Sequence, residues 1–283
     1  MVNSRIFSIF APQFNKTKRF LLVKKWYLIG LITMMVCLGC QWQMRSSGDS
    51  SESEEMTIER YDRVESDYLT MADYAALRQM NTDYPTETRM LIEDVLQLGR
   101  VDDPDINTRL LVFFQDTTLQ TLLSDIRREY ANMDDVNREL RASFNRLHAM
   151  LPHLELPRVY TQIGSLDQSI IVGDGMLGIS LDKYLGSDHP LYYRYGYTER
   201  QRTMMSRQYI VPDCVAFYLL SSYPSADTLS HEQQLHHMGC IQYVTNKAVG
   251  RNVFNNEHVR GVAEEMNNGK YSSIDELLNS SRY

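Results

Sequence analysis

Two stretches carry residue types that could do chemistry. In His231-Glu232-Gln-Gln-Leu-His236-His237, histidines and a glutamate lie close enough in sequence to suggest a metal site. A working H-E-x-x-H helix sets its histidines four apart, so that both meet one zinc ion while the glutamate activates water. Here the residue four beyond His231 is Leu235. His236 falls one position further, about 140° round a helix. Glu232 and His236 are themselves four apart and are the weak metal candidates of this chain, with Asp213 the residue a metal-dependent peptidase would add. A solvated helix face explains Glu232 and His236 without further assumption, and no cofactor is expected.

The second stretch is Gly173-Asp-Gly175-Met-Leu-Gly178, a formal G-x-G-x-x-G. That pattern cradles a dinucleotide only between a strand and the N-terminus of a helix. Ser169-Ile-Ile-Val172 before it is strand-like, but Met176-Leu-Gly-Ile-Ser-Leu181 after it alternates as a second strand. Asp174-Gly175 between two apolar runs predicts a tight β-hairpin turn. Asp174, Asp182 and Asp188-His189 gather near this hairpin. Paired carboxylates can do acid/base work, yet aspartates in turns also satisfy local backbone groups, and the structural role is the expectation. No G-x-S-x-G, Walker loop or C-x-x-C occurs.

The first forty residues differ from the rest. Arg5, Lys16, Lys18, Arg19, Lys24 and Lys25 occur with no acid, and an apolar run from Trp26 to Leu38 leads into Gly39-Cys40. A basic region, a short apolar region and a small residue make a secretory signal, and this run is too short to span a bilayer comfortably. Leu38-Gly39-Cys40 is similar to the end of a bacterial lipobox, which makes Cys40 the expected lipid attachment site. Cys37 stands where leucine is usual, and an ordinary cleaved signal is the alternative. Residues 41–56 are rich in Ser and Glu and read as a disordered tether. Without the leader the chain has 23 basic against 36 acidic residues. Such a domain is a poor ligand for nucleic acid, whose affinity comes from Lys and Arg neutralising phosphate. Cys214 and Cys240 remain for the folded part, and both one disulfide and two separate buried thiols are open.

The mature chain reads as helices, then strands, then helices. Ile58–Val64 alternates and reads as a short strand or extended entry segment. Helical spacing follows over 87–98, with Gly99 as a C-cap, and over 107–114, 118–130 and 134–150. Pro152 and Pro157 end the last of these, Arg158–Ile163 is a strand, and the hairpin completes a small mixed sheet. Helices are expected over 204–222, interrupted by Pro212, over 229–246, and around 256–266. The class is α+β, mainly helical, with residues 57–283 forming one domain. The stretch Leu191-Tyr-Tyr193-Arg-Tyr195-Gly-Tyr197 offers either core packing or, through Tyr193 and Tyr195, a contact surface.

Several segments together resemble the gliding-motility lipoprotein GldB family of the Bacteroidota. They are Ile58-Glu-Arg-Tyr-Asp-Arg, Thr82-Asp-Tyr-Pro85, Asp94-Val-Leu-Gln-Leu-Gly99, Pro157-Arg-Val-Tyr160, Ile179-Ser-Leu-Asp-Lys-Tyr-Leu-Gly186 and Ile210-Val-Pro-Asp213. The resemblance covers roughly residues 58–223 and implies a zincin-like (metallopeptidase-like) fold. The segment that looks equivalent to a zincin's active-site helix, Tyr209–Tyr218, contains no histidine. The resemblance therefore implies a non-catalytic envelope lipoprotein that faces the periplasm, anchored to the inner or outer membrane, with envelope proteins as partners. The chain departs from the family in being compressed around Gly239–Gly250 and short at its C-terminus.

Overall fold

A computed structural model of the chain describes residues 56–282, apart from Asp167 and Asp174. The leader, Cys40 and nearly all of the tether lie outside the described residues. Strand β1 is only Ile58–Glu59. The expected extended segment stops there because helix α1 begins at Tyr61 and runs to Met71, burying Tyr61, Asp62, Glu65, Ser66, Tyr68 and Leu69 at helical spacing. Ala72, in the left-handed region at φ 51°, ends it, and Asp73 accepts from Ala75 N to start α2, Tyr74–Thr82. Neither helix was expected from apolar periodicity.

Helix α3, Pro85–Arg89, starts with proline where no N–H is needed, and then widens into a π-helical turn, Met90–Val95. The widening moves Ile92 into the core beside Leu91 and leaves Asp94 exposed. The left-handed residue that closes the turn is Gln97, at φ 51°, and not the expected Gly99 cap. Helices α4 (Ile106–Phe114), α5 (Thr117–Glu129) and α6 (Asp134–Met150) then follow the predicted periods closely.

The sheet comprises β1, β2 (Arg158–Gln162), β3 (Ile170–Gly173) and β4 (Met176–Ser180) in the order β1-β2-β4-β3. The first two contacts are parallel, and β3 returns antiparallel on the outside of β4. Gly173 pairs with Met176, so two residues make the turn, and Gly175 takes φ 72°. The glycine motif is thus the hairpin its flanks predict. At Gly178 a Cβ would fall 2.5 Å from the Tyr160 hydroxyl, so that glycine makes room for a neighbour's ring.

After a 3-10 turn, Leu181–Tyr184, come α7 (Pro190–Arg194), α8 (Glu199–Met204) and α9 (Ile210–Ser222). The helix expected over 204–222 starts only at Ile210, and Pro212 does not interrupt it, because it sits in the first turn of α9. Helix α9 is apolar on nearly all sides, since it packs on β3 and β4 and also on α6 and on α10, His231–Val249. A Ser230/Gln233 capping box opens α10, and Gly250 at φ 83° closes it. Helix α11 (Glu257–Asn267) matches its prediction, whereas α12 (Ile274–Ser280) was missed despite its Ser273 cap accepting from Glu276 N. The described residues are α+β, mainly helical with a small mixed sheet, and one continuous apolar core joins both parts.

Candidate functional site

The chemistry-bearing side chains inside the fold collect where β2 and β4 end. Asp182, fully buried one residue past Leu181, accepts from Gly164 N at 2.7 Å and from Leu166 N at 2.5 Å. It clamps a loop in which Ser165 and Leu166 both take positive φ. Burial raises its pKa, and the two N–H donors, with Lys183 nearby, pull it back down. The ladder between β2 and β4 stops at Gln162, and the next N–H, of Ile163, donates to Glu65 Oε2 at 2.9 Å. Asp62, three residues before Glu65 on α1, holds Arg60 through two oxygens and accepts from Thr161 Oγ1 at 2.5 Å.

Glu65 is the least satisfied of these groups. Its Oε1, Ser66 Oγ and Gln162 Oε1 are buried without a hydrogen-bond partner. Burial pushes the Glu65 carboxyl well above the usual range, and the charges of Asp62 and Asp182 push it further. Protonated, Glu65 keeps its acceptor for Ile163 and gains a donor of its own. The crevice lined by Asp62, Arg63, Ser66, Ile126 and Ile163 has no room for a water molecule. These carboxylates fasten α1, the sheet end and the loop to one another. Of them only Asp182 was singled out from sequence. The signal for Asp62 and Glu65 was their three-residue spacing between Tyr61 and Tyr68, a polar stripe inside an aromatic one.

Asp213 stands apart from that set, in the first turn of α9, where its Oδ2 accepts from the Tyr184 hydroxyl at 2.8 Å. Burial raises it to about 7, with the Tyr184 bond a smaller opposing influence. Cys214 beside it is buried, as is Cys240, and both are free thiols. Asp188 and His189 also have separate partners, the Tyr193 hydroxyl and Asp125 respectively.

The proposed metal residues do not converge. His236 contacts Glu265 Oε2 through Nε2 at 2.9 Å and Cys240 Sγ through Nδ1 at 3.7 Å, so its two nitrogens face different groups in opposite directions. Glu232 is exposed on the first turn of α10. Among the described residues no three His, Cys, Asp or Glu side chains are grouped to hold a metal ion. The Cys240–His236–Glu265 line has the order of a nucleophile, base and orienting acid. Burial, however, pushes the Cys240 thiol up to about 12, which leaves almost no thiolate at neutral pH.

The tyrosine stretch divides cleanly. Tyr192 is fully buried, donating to Asp182 O and accepting from Leu185 N, and Tyr197 donates to Leu166 O. Tyr193 and Tyr195 point outward and are 52% and 57% exposed. The guanidinium of Arg202 lies 3.7 Å from the Tyr193 ring centre, holding that ring in place at the surface.

The molecule is thus an α+β protein with an apolar core, a cluster of buried carboxylates at the end of its sheet, and a pair of surface tyrosines. Residues 44–255 match the family described as gliding motility protein GldB, and the chain belongs to that family. No curated protein and no solved structure matches it. Membership associates the chain with gliding motility and with lipoproteins of the cell envelope. No helix among the described residues is long and apolar enough to cross a membrane.

Proposed function

We propose that the protein is a periplasm-facing lipoprotein, anchored through Cys40 and a tether over residues 41–56, that acts without catalysis as a binding or assembly factor for gliding-motility or associated secretion machinery. The observation that carries this reading is the outward pair Tyr193 and Tyr195. Their backbone is fixed by the buried Tyr192 and the half-buried Tyr197, so binding them orders little that is not ordered already. Tyrosines so placed give rigid contact area with a polar tip.

Tyr193→Ala with Tyr195→Ala tests it in the full-length protein. Exposed substitutions usually change stability by less than about 0.5 kcal/mol, so the urea midpoint should barely move while co-purifying envelope proteins are lost. Retention of the same partners by the double variant would remove this surface from the account. Metal analysis of the full-length protein purified without chelators addresses the rival, a divergent metal-dependent peptidase using Glu232, His236 and Asp213. Less than about one zinc per ten chains is the expected result; stoichiometric zinc lost in His236→Ala would establish the rival.

A further inference from the structure

A cavity of about 500 Å³ opens between the C-terminal half of α10 and the first two turns of α11, with the connecting segment 250–255 as its third side. Its lining includes Lys247, Arg251 and Arg260 but no aspartate or glutamate, in a chain whose formal net charge is −7. Arg251 is committed to Glu139 Oε1 at 3.0 Å and to Gln208 O at 2.7 Å. Among the described residues neither Lys247 nor Arg260 has a carboxylate partner. Lys247 Nζ lies 5.3 Å from the Tyr243 ring centre, and Arg260 Nη1 donates to Asn255 Oδ1 at 3.3 Å. Glu264, one turn along α11 from Arg260, makes no ion pair with it.

The pocket is built before any ligand arrives. The Asn246 side chain accepts from Val253 N and Phe254 N and donates to Phe254 O, which nails the connecting segment to α10. A helix C-terminus ordinarily repels anions. Here the carbonyls of Ala248 and Val249 are covered by Arg146, at 2.5 and 2.7 Å, so the end of α10 turns a cation towards its own carbonyls. Two uncompensated cations, the rings of Tyr243 and Phe254, and the Asn255 amide therefore face one space of small-molecule size.

We propose that this pocket binds an acidic saccharide, with Lys247 and Arg260 on its phosphate or carboxylate, Tyr243 or Phe254 against a ring face, and Asn255 on a hydroxyl. The chemistry follows from the lining: two cations without a carboxylate partner suit an oxyanion, an aromatic wall suits an apolar ring face, and an amide serves hydroxyls. Helix α11, which supplies Arg260, lies beyond the part of the chain that matches the family. This inference does not depend on the tyrosine surface.

Calorimetric titration of the full-length protein with glucose 6-phosphate, glucuronate, glucose and inorganic phosphate tests it. At least one acidic sugar should bind more tightly than both glucose and inorganic phosphate. Lys247→Ala and Arg260→Ala should each weaken it about tenfold, the usual scale for one hydrogen bond to a charged group, while Lys247→Arg should retain it. Both residues are exposed, so folding should be unaffected, and an unchanged urea midpoint checks that. Inorganic phosphate binding as tightly as glucose 6-phosphate, with glucuronate not bound, would reduce the site to a simple anion site and overturn the proposal. So would the absence of any binding by the acidic sugars, or full affinity in the Lys247→Ala/Arg260→Ala double variant.

Discussion

Asp182→Ala is expected to lower the stability of the folded chain by about 2–6 kcal/mol, the cost of leaving two buried N–H groups unsatisfied at about 1–3 kcal/mol each. The substitution strips the acceptor from two buried N–H groups at once, those of Gly164 and Leu166. Both lie in the loop where Ser165 and Leu166 hold positive φ, so nothing in their own backbone preference keeps the loop closed. Domains are stable by roughly 5–15 kcal/mol in total, which makes this loss a large part of the whole. Urea unfolding at neutral pH measures it. A loss below about 1 kcal/mol would mean that water replaces the carboxylate at those N–H groups and that the clamp is dispensable.

The second large effect is one of pH. Asp213 titrates near 7 in the folded protein, against the usual 3.8, because burial disfavours its charge. A carboxyl raised on folding binds a proton more tightly in the folded chain. Its contribution is therefore fully present below about pH 4 and is lost as pH rises to about 7. At 1.36 kcal/mol per pH unit, the loss across that window is of order 4 kcal/mol. Asp213→Asn keeps an acceptor for the Tyr184 hydroxyl and carries no charge. Above pH 7 the variant should thus be more stable than the wild type by a few kcal/mol, with the two converging near pH 4. Glu65 and Asp182 are raised in the same direction, so both proteins keep a falling stability with pH. The difference between their urea midpoints at pH 5 and pH 8 isolates Asp213. An equal midpoint shift in both proteins would show that Asp213 is hydrated in solution.

These two residues also mark how far the sequence could be read. Helices α5 and α6 and the hairpin were legible because each has one apolar face against a polar one, or a two-residue turn with glycine where positive φ is needed. Helix α1 was not, because half of its buried stripe is Asp62, Glu65 and Ser66. The burial of Asp62 and Glu65 is secured by hydrogen bonds to Thr161 in β2 and to Ile163 just beyond it, which leave no trace in hydropathy. The π-helical turn at Met90–Val95 broke the period that placed Gly99 as a cap. Asp182 could be noticed as an aspartate near a turn, but its partners, Gly164 and Leu166, lie across a strand pairing that only the fold brings together. The four tyrosines of 192–197 could not be sorted inward from outward, since a five-residue helix and the bend after it follow no single period.

The contact between Tyr160 and Gly178 has a further consequence. The two residues are cross-strand partners in the parallel pairing of β2 and β4, and the tyrosine hydroxyl occupies the space a side chain at 178 would need. The same ring sits edge-on to Tyr61 and reaches towards Met90, so it cannot swing aside without disturbing α1 and the π-helical turn. A larger residue at 178 is admissible only with a shorter one at 160, and the pair must be inherited as a unit. In lineages of this family the last glycine of the G-x-G-x-x-G string should therefore change in step with a tyrosine eighteen positions earlier, while Gly175 follows the turn alone. A string that looks like one motif thus answers two separate structural demands.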